Sequence, residues 1–510
     1  MPLIILIDKK IPQKEFKRAA YVWTLLAQVI GISAVITDCL DEIGAVPERC
    51  FKIFYGYHSD KLKHRIDLFV PYEAVRNSLN VKYINEIPIL YNVREPEYLL
   101  YNDRFGFDPI SIIFYFLSGT EEYNSSEYDH LGRHIENSTF HNTENLIRKP
   151  LVDIYINLLK NKIIEKLNNA FYRPLWKDDK TFALALSHDV DRVSKTSLSA
   201  VRNCFKQVRY EHKLNRKLQF LFYGIGSSVI SPLNYVVKHS PLFSLNKSCQ
   251  LEKSFEIICR LEDRYNIKST FFILPLKVGP IHYLDWLYSY NEKVIFRNKW
   301  MKIKDILCNI ITDGWDIGLH GGLESYINPN ILSIQKQSIE KLLNIKIVSI
   351  RQHCLRFKID ETWKAQESAN FKYDSTYGYN EIVGFRGSCC LPFRPFSISR
   401  NKELNIWELP LTIQDNALFQ SDKQNKGDYY EDAISLLSEE KDVGGVATLL
   451  WHTNAVCNKH YPGWFEVYEK IIQWAINQNA FIGSIKEIMD WWESRIKKIQ
   501  VKYKFYYVEL

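Results

Sequence analysis

A chain of 510 residues has room for roughly two to four domains, and with 46% hydrophobic and 14% aromatic residues it carries the material for sizeable cores. Only 21 glycines and 18 prolines exclude collagen-like, linker-dominated and disordered classes. The 66 Lys and Arg against 59 Asp and Glu leave +7, too modest a charge over this length to support a nucleic-acid partner.

The chain starts MPLIILIDKK, where a short apolar run ends at Asp8 with no basic segment before it. That is too short for the apolar region of a signal peptide and reads as a first β-strand. Residues 1–150 mix short apolar strands (PLIILI, FKIFYGY, IPILYN) with polar turns and helical pieces such as Ser111–Leu117, the pattern of a smaller α+β N-terminal domain. From Pro150, PLVDIYINLLKNKIIEKLN carries apolar residues at helical spacing, and RPLWKDDK reads as a connection, so 151–179 is expected to be helix and linker.

From 180 the pattern changes to strand-then-helix alternation. Strand-like runs are FALALSHD (182–189), STFFILP (269–275), WDIGLH (315–320), KIVSIRQH (346–353), FKYDST (371–376), IWELPLT (406–412), VATLLWHTN (446–454) and FIGSI (481–485). Amphipathic segments lie between them, at 251–266, 331–344, 361–371, 431–441 and 464–478, and a last one follows the final strand. Nearly continuous apolar strands alternating with helices predict a parallel sheet, and seven or eight such steps predict closure into a (β/α)7-8 barrel over 180–498.

An insertion at about 195–248 interrupts this alternation. It holds a basic cluster (Arg202, Lys206, Arg209, Lys213, Arg216, Lys217) and then the uncharged stretch LQFLFYGIGSSVISPLNYVV at 218–237. The stretch is long enough to span a bilayer, but Gln219, Ser227, Ser228, Ser231, Pro232 and Asn234 dilute it. Three readings stand: a buried or substrate-covering insertion, peripheral membrane contact through 202–237, or a spanning helix. The 10 cysteines form no CxxC pair and no zinc-finger spacing, so free thiols in a reducing, cytoplasmic location are expected.

Unusual polar residues gather at strand ends. FALALS runs into His188-Asp189-Val190-Asp191, WDIGL into His320, KIVSI into Arg351-Gln352-His353 and VATLLW into His452. The C-terminal strand ends of a β/α barrel make its active face, so separate strands deliver carboxylates and imidazoles to one rim. An Asp-x-Asp after a strand is often only a turn or cap, and a lone histidine is often structural. Four such placements on four strands instead indicate a metal-assisted site.

Taken in order, SHDVD, STFFIL, WDIGLHGG, RQHCLRF, YDSTYGY and LLWHTN resemble the motifs of the NodB-homology polysaccharide deacetylases, carbohydrate esterase family four, over roughly residues 180–490. The upstream FYFLSGTEEYNSSEYDHLGRH and RKPLVDIY are similar to the N-terminal domain of one bacterial branch of these proteins. The resemblance implies a distorted barrel holding one divalent metal ion, expected to be zinc, that hydrolyses N-acetyl groups on amino sugars. It makes Asp189 the general base, Asp191 and His320 metal ligands, His452 the acid that protonates the departing amine, and Arg351 the residue that positions the base. The chemistry is coherent, because a bound zinc both lowers the pKa of a water and stabilises the oxyanion. The family's second metal histidine is replaced here by Glu324, so Glu324 ligates, His353 on the next strand completes the site, or the third position is lost; His353 is preferred. Asp374, Arg386, Arg394 and Trp451 are expected in the substrate pocket, though FRGSCCLPFRPF also reads as a surface loop. His188 and His460 read as structural.

Asp189-Val-Asp191 also resembles the Asp-x-Asp of nucleotide-sugar glycosyltransferases. That reading needs a nucleotide-binding half, finds no GxGxxG or P-loop, and explains none of the histidines. A non-catalytic sugar-binding or scaffold protein that keeps the barrel is the other alternative, resting on Glu324. The favoured expectation is deacetylation of a carbohydrate, a surface-glycan precursor in the cytoplasm or at the inner membrane face.

Overall fold

The computed structural model describes residues 3–39, 50–57, 66–75, 79–135, 146–167, 173–194, 250–276, 285, 288–420 and 428–505. The basic and apolar insertion read from the sequence lies outside them.

The N-terminal part is built on strands β1 (Leu3–Ile7), β2 (Ala34–Thr37), β3 (Phe51–Gly56) and β4 (Leu68–Pro71). They run parallel in the order β2-β1-β3-β4. Helix α1 (Gln13–Ile30) makes the crossover from β1 to β2 and buries Phe16, Val22, Trp23 and Leu26. It stops at Gly31, whose φ of 83° is a left-handed turn that glycine adopts without steric cost. These parallel pairings correct the α+β expectation, since parallel neighbours need a crossover and make an α/β layer. Short apolar runs carry no signal of strand direction. IPILYN, for instance, joins no crossover but folds back as an antiparallel hairpin on Asn80–Ile84. Val501–Lys504 also returns to this sheet, parallel to β2 with Ala34 opposite Val501.

The second sheet contains β5 (Ala183–Val190), β6 (Thr270–Ile273), β7 (Asp316–Gly321), β8 (Ser349–Gln352), β9 (Tyr373–Asp374), β10 (Trp407–Glu408), β11 (Ile413–Gln414), β12 (Val446–Leu450) and β13 (Phe481–Ser484). Its order is β10-β9-β8-β7-β6-β5-β12-β11, and these pairings are parallel. The two outermost strands are opposite ends of one segment, 407–414, so the sheet curls round towards itself. Strand β13 pairs with the first half of β5 and β6 with its second half, which makes a seam at that strand. β5 is buried at every position, as a strand covered on both faces must be. Gly318 on β7 leaves room for the Phe272 ring, which a Cβ there would meet at 2.4 Å.

Charged groups tie the two sheets together. Helix α2 (Leu151–Lys166) buries Asp153, whose carboxylate accepts the backbone N–H of Cys390 at 2.8 Å and of Leu391 at 3.2 Å. Helix α3 (Ile485–Ile496) carries Arg495, which donates to the carbonyls of Gln28 (2.6 Å), Val29 (2.9 Å) and Pro174 (3.0 Å). The first two are end-of-helix carbonyls of α1 that lack partners within the helix, and a cation there also meets the negative end of the helix dipole. Arg495→Ala is therefore expected to cost roughly 2–4 kcal/mol. Urea unfolding followed by circular dichroism checks this, and an unchanged midpoint would contradict it.

Candidate metal centre

The site forms because parallel strands present their carboxyl ends to one side. Asp189 lies near the end of β5, and Asp191 just beyond it. His320 is on β7, Arg351 on β8, His353 directly after β8 and His452 two residues after β12. Register brings them together, with Asp189 opposite Phe272, and His320 opposite Arg351 on the next strand. Five of them, Asp189, Asp191, His320, His353 and His452, line a cleft of about 360 Å³.

Asp191, His320 and His353 each offer a ligand atom, and these atoms lie within 4.8 Å of one another. His320 Nδ1 donates to the Arg351 carbonyl at 3.0 Å, which leaves Nε2 as the inward lone pair. His353 Nδ1 meets the Asp285 carboxylate at 2.8 Å, which leaves Nε2 as the nitrogen that could ligate. Outer hydrogen bonds of this kind fix tautomer and ring orientation in metal sites. Asp191 Oδ1 is buried, 3.4 Å from His320 Nε2, yet without a hydrogen-bond partner among the described residues. Burial opposes ionisation of Asp191, but His320, His353 and His452 outweigh it and hold the carboxyl well below the usual carboxylate range. One carboxylate and two imidazoles, with both rings pre-oriented, suit zinc or another divalent first-row ion.

Glu324 stands outside this group. Its Oε1 pairs with Arg356 Nη1 at 3.1 Å, and the side chain is 39% exposed. Of the three sequence alternatives for the third position, the geometry brings His353 to Asp191 and His320.

Asp189 is held from behind. The Arg351 guanidinium is fully buried, and Nη1 donates to Asp189 Oδ1 at 3.1 Å and Ser187 Oγ at 2.7 Å. Nε and Nη2 donate to the Ser375 carbonyl and hydroxyl at 2.8 and 2.9 Å. Across the cleft, His452 Nδ1 meets Asp415 Oδ1 at 2.6 Å, and its backbone N–H donates to Asp415 Oδ2 at 2.8 Å. The opposite nitrogen, Nε2, lies 3.7 Å from Asp191 Oδ2. Burial opposes charge on this ring, but Asp415, with Asp191 and Asp189 behind it, pushes it up to about 10.

Four sequence-assigned pocket residues are corrected. Trp451 is buried in the core between Tyr468 and Phe419, because its side chain alternates away from the rim. Asp374 is fully buried beside Glu408, its register partner, and burial pushes it up to about 6 while raising Glu408 further. Arg386 makes a two-point ion pair with Glu122, at 2.7 and 2.9 Å, that joins the N-terminal part to the part built on the second sheet. Arg394 reaches Glu403 at 3.4 Å and stacks on Trp407. His188 turns into the core against the Trp451 carbonyl (2.7 Å) and Glu262 (2.9 Å).

Sequence reasoning missed Asp285, Asp415 and Arg133. Asp415 had a usable signal, an aspartate directly after an apolar strand as in Asp189, but β11 spans only two residues. Asp285 sits off any periodic element, and Arg133 enters the cleft rim from the N-terminal part.

His452 has a folded value above its ordinary 6.5. Its pairing with Asp415 therefore stabilises the fold fully below about pH 6.5, and the contribution is lost as pH rises through about 10. In metal-free protein the His452 ring followed by NMR is expected to titrate near pH 10, and Asp415→Asn to bring it down towards 6.5. A ring that titrates identically in both proteins would contradict the pairing.

A family of unknown function, DUF7033, matches residues 8–168. No curated protein matches the chain. Among solved structures the chain is similar to a protein assigned as a polysaccharide deacetylase from Mycobacterium smegmatis, at 16% identity and TM-score 0.37 over 66% of this chain and 97% of that one. It is similar to a CE4-family pseudoenzyme from Bacillus anthracis, at 10% identity and TM-score 0.28 over 65% and 71%. A GH57 branching enzyme from Thermococcus kodakaraensis is similar at 9% identity and TM-score 0.36 over 61% and 71%.

Proposed function

We propose that this protein is a metal-dependent hydrolase that removes N-acetyl groups from an amino-sugar-containing carbohydrate. The observation that carries the reading is the convergence, on one rim, of a three-donor set, an Arg351-held carboxylate and a carboxylate-backed imidazole. The ordered motifs from SHDVD to LLWHTN support the substrate class.

Asp191, His320 and His353 would hold the ion. Such an ion, when bound, supplies Lewis acidity to an amide carbonyl and makes water acidic enough to deprotonate near neutral pH. Asp189 is the base. Its Oδ1 is tied to Arg351, and Oδ2 faces His320 at 3.7 Å, on the side of the cleft where a proton can be taken. His452 is the acid. Asp415 keeps its ring charged at neutral pH, with the Nε2 proton pointing into the cleft for the departing amine. The water proton thus goes to Asp189 and the amine receives its proton from His452, so acetate and a free amine leave.

The rival reading, a non-catalytic sugar-binding protein, is motivated by Glu324. It loses ground because Glu324 is paired with Arg356 while His353 stands beside the other two donors. A cytoplasmic site of action at the inner membrane face would make the substrate a lipid-linked surface-glycan precursor.

Acetate release from N-acetylated oligosaccharides by the zinc-loaded protein is the direct test. Asp189→Asn and His452→Ala are each expected to lower turnover by about 10²–10⁴-fold while metal is retained. Wild-type turnover in both variants would overturn the assignment.

A further inference from the structure

Outside the metal centre a cleft of about 700 Å³ is lined mainly by the N-terminal part, with Ile398 on its wall. It opens beside the first turns of α1 and the end of β3, next to the point where the strand order reverses between β1 and β3. Open α/β sheets bind ligands at such a reversal. Its wall includes Lys14, Tyr55, Tyr115, Tyr123, Asn124 and His134. Tyr123 keeps 42% of its surface exposed there, and Tyr128 keeps 37% a few residues on, its ring 6.1 Å from that of His134.

This cleft and the metal centre share walls through a third space. His134 borders both the large cleft and a smaller one of about 120 Å³. Arg133, Asn380 and Glu381 border that smaller space and also the metal-centre cleft. The shared wall is held in place, because Arg133 is fixed by Asp129 at 2.7 Å and donates to the Cys354 carbonyl at 3.2 Å, one residue after His353.

From these shared wall residues we infer that the N-terminal part supplies distal subsites for an extended oligosaccharide whose reacting sugar lies at the metal centre. The class of ligand rests on the carbohydrate reading above; the path rests on the shared walls. Aromatic rings with amide and hydroxyl groups between them suit sugar faces and edges. Charge does not favour an anion, since Lys14 and Arg18 in the large cleft are offset by Glu15 and Glu121. A neutral, N-acetylated chain of several rings fits, and a single sugar would leave the N-terminal cleft unused.

The test uses N-acetylglucosamine oligomers from the disaccharide to the hexamer as probes, titrated calorimetrically into the zinc-loaded full chain carrying Asp189→Asn so that they are not consumed. Affinity is expected to rise with length. Tyr123→Ala and Lys14→Ala, both at exposed positions, are each expected to weaken the hexamer about tenfold and leave the disaccharide within about twofold. Hexamer binding no tighter than that of the disaccharide, or unchanged in both variants, would overturn the inference. Length-dependent binding lost in the variants, without acetate release from the wild type, would sink the hydrolase reading and leave the extended path standing.

Discussion

A fully buried guanidinium sets the terms of the site. Arg351 lies at the floor of the strand-end rim with no access to water, over the Phe272 ring at 4.5 Å. A cation so placed must be matched by a carboxylate and by acceptors for its remaining N–H groups. Asp189, Ser187 and Ser375 meet that need from strand β5 and the end of β9. The same pairing fixes the Asp189 carboxylate in place, with Oδ2 left towards His320. Gly318 belongs to this arrangement too, since it gives Phe272 the space from which the ring supports Arg351.

Parallel strands supply the rest. Because β5, β7, β8 and β12 end on one side, residues far apart in the chain become neighbours without any local motif joining them. Each inward imidazole then gains a fixed partner on its far nitrogen: the Arg351 carbonyl for His320, Asp285 for His353 and Asp415 for His452. Orientation of the rings is therefore built by backbone and carboxylates lying outside the cleft. The N-terminal sheet participates through Glu122–Arg386, Asp153 and Arg495, so the rim and the accessory part are locked by buried charge as well as by apolar contact.

Much of the curled parallel sheet was legible because its strands are buried on both faces and read as unbroken apolar runs, from FALALS to FIGSI. The expected closure into a barrel was not reached, since the outermost strands β10 and β11 end the sheet. Helix 303–312 and the second-sheet strand β11 were not legible, one following a hairpin and the other being two residues long. Position at a strand end anticipated that Asp189, Asp191, His320, Arg351, His353 and His452 converge on one rim. It failed for Trp451 and Asp374, where motif membership was read as exposure to the cleft although both side chains face the interior. Orienting residues such as Asp285 lie in irregular chain, where no periodicity announces them. Strand direction in residues 3–71 was likewise invisible, because hydrophobic alternation is silent on pairing.

The central claim is that Asp191, His320 and His353 form one metal site while Glu324 does not belong to it. Elemental analysis after exhaustive dialysis, on wild type, Asp191→Ala and Glu324→Gln, addresses this directly. About one divalent ion per chain in wild type and Glu324→Gln, and none in Asp191→Ala, is the expected result. A wild-type protein that neither retains nor takes up a divalent ion, or one whose ion depends on Glu324, would contradict it.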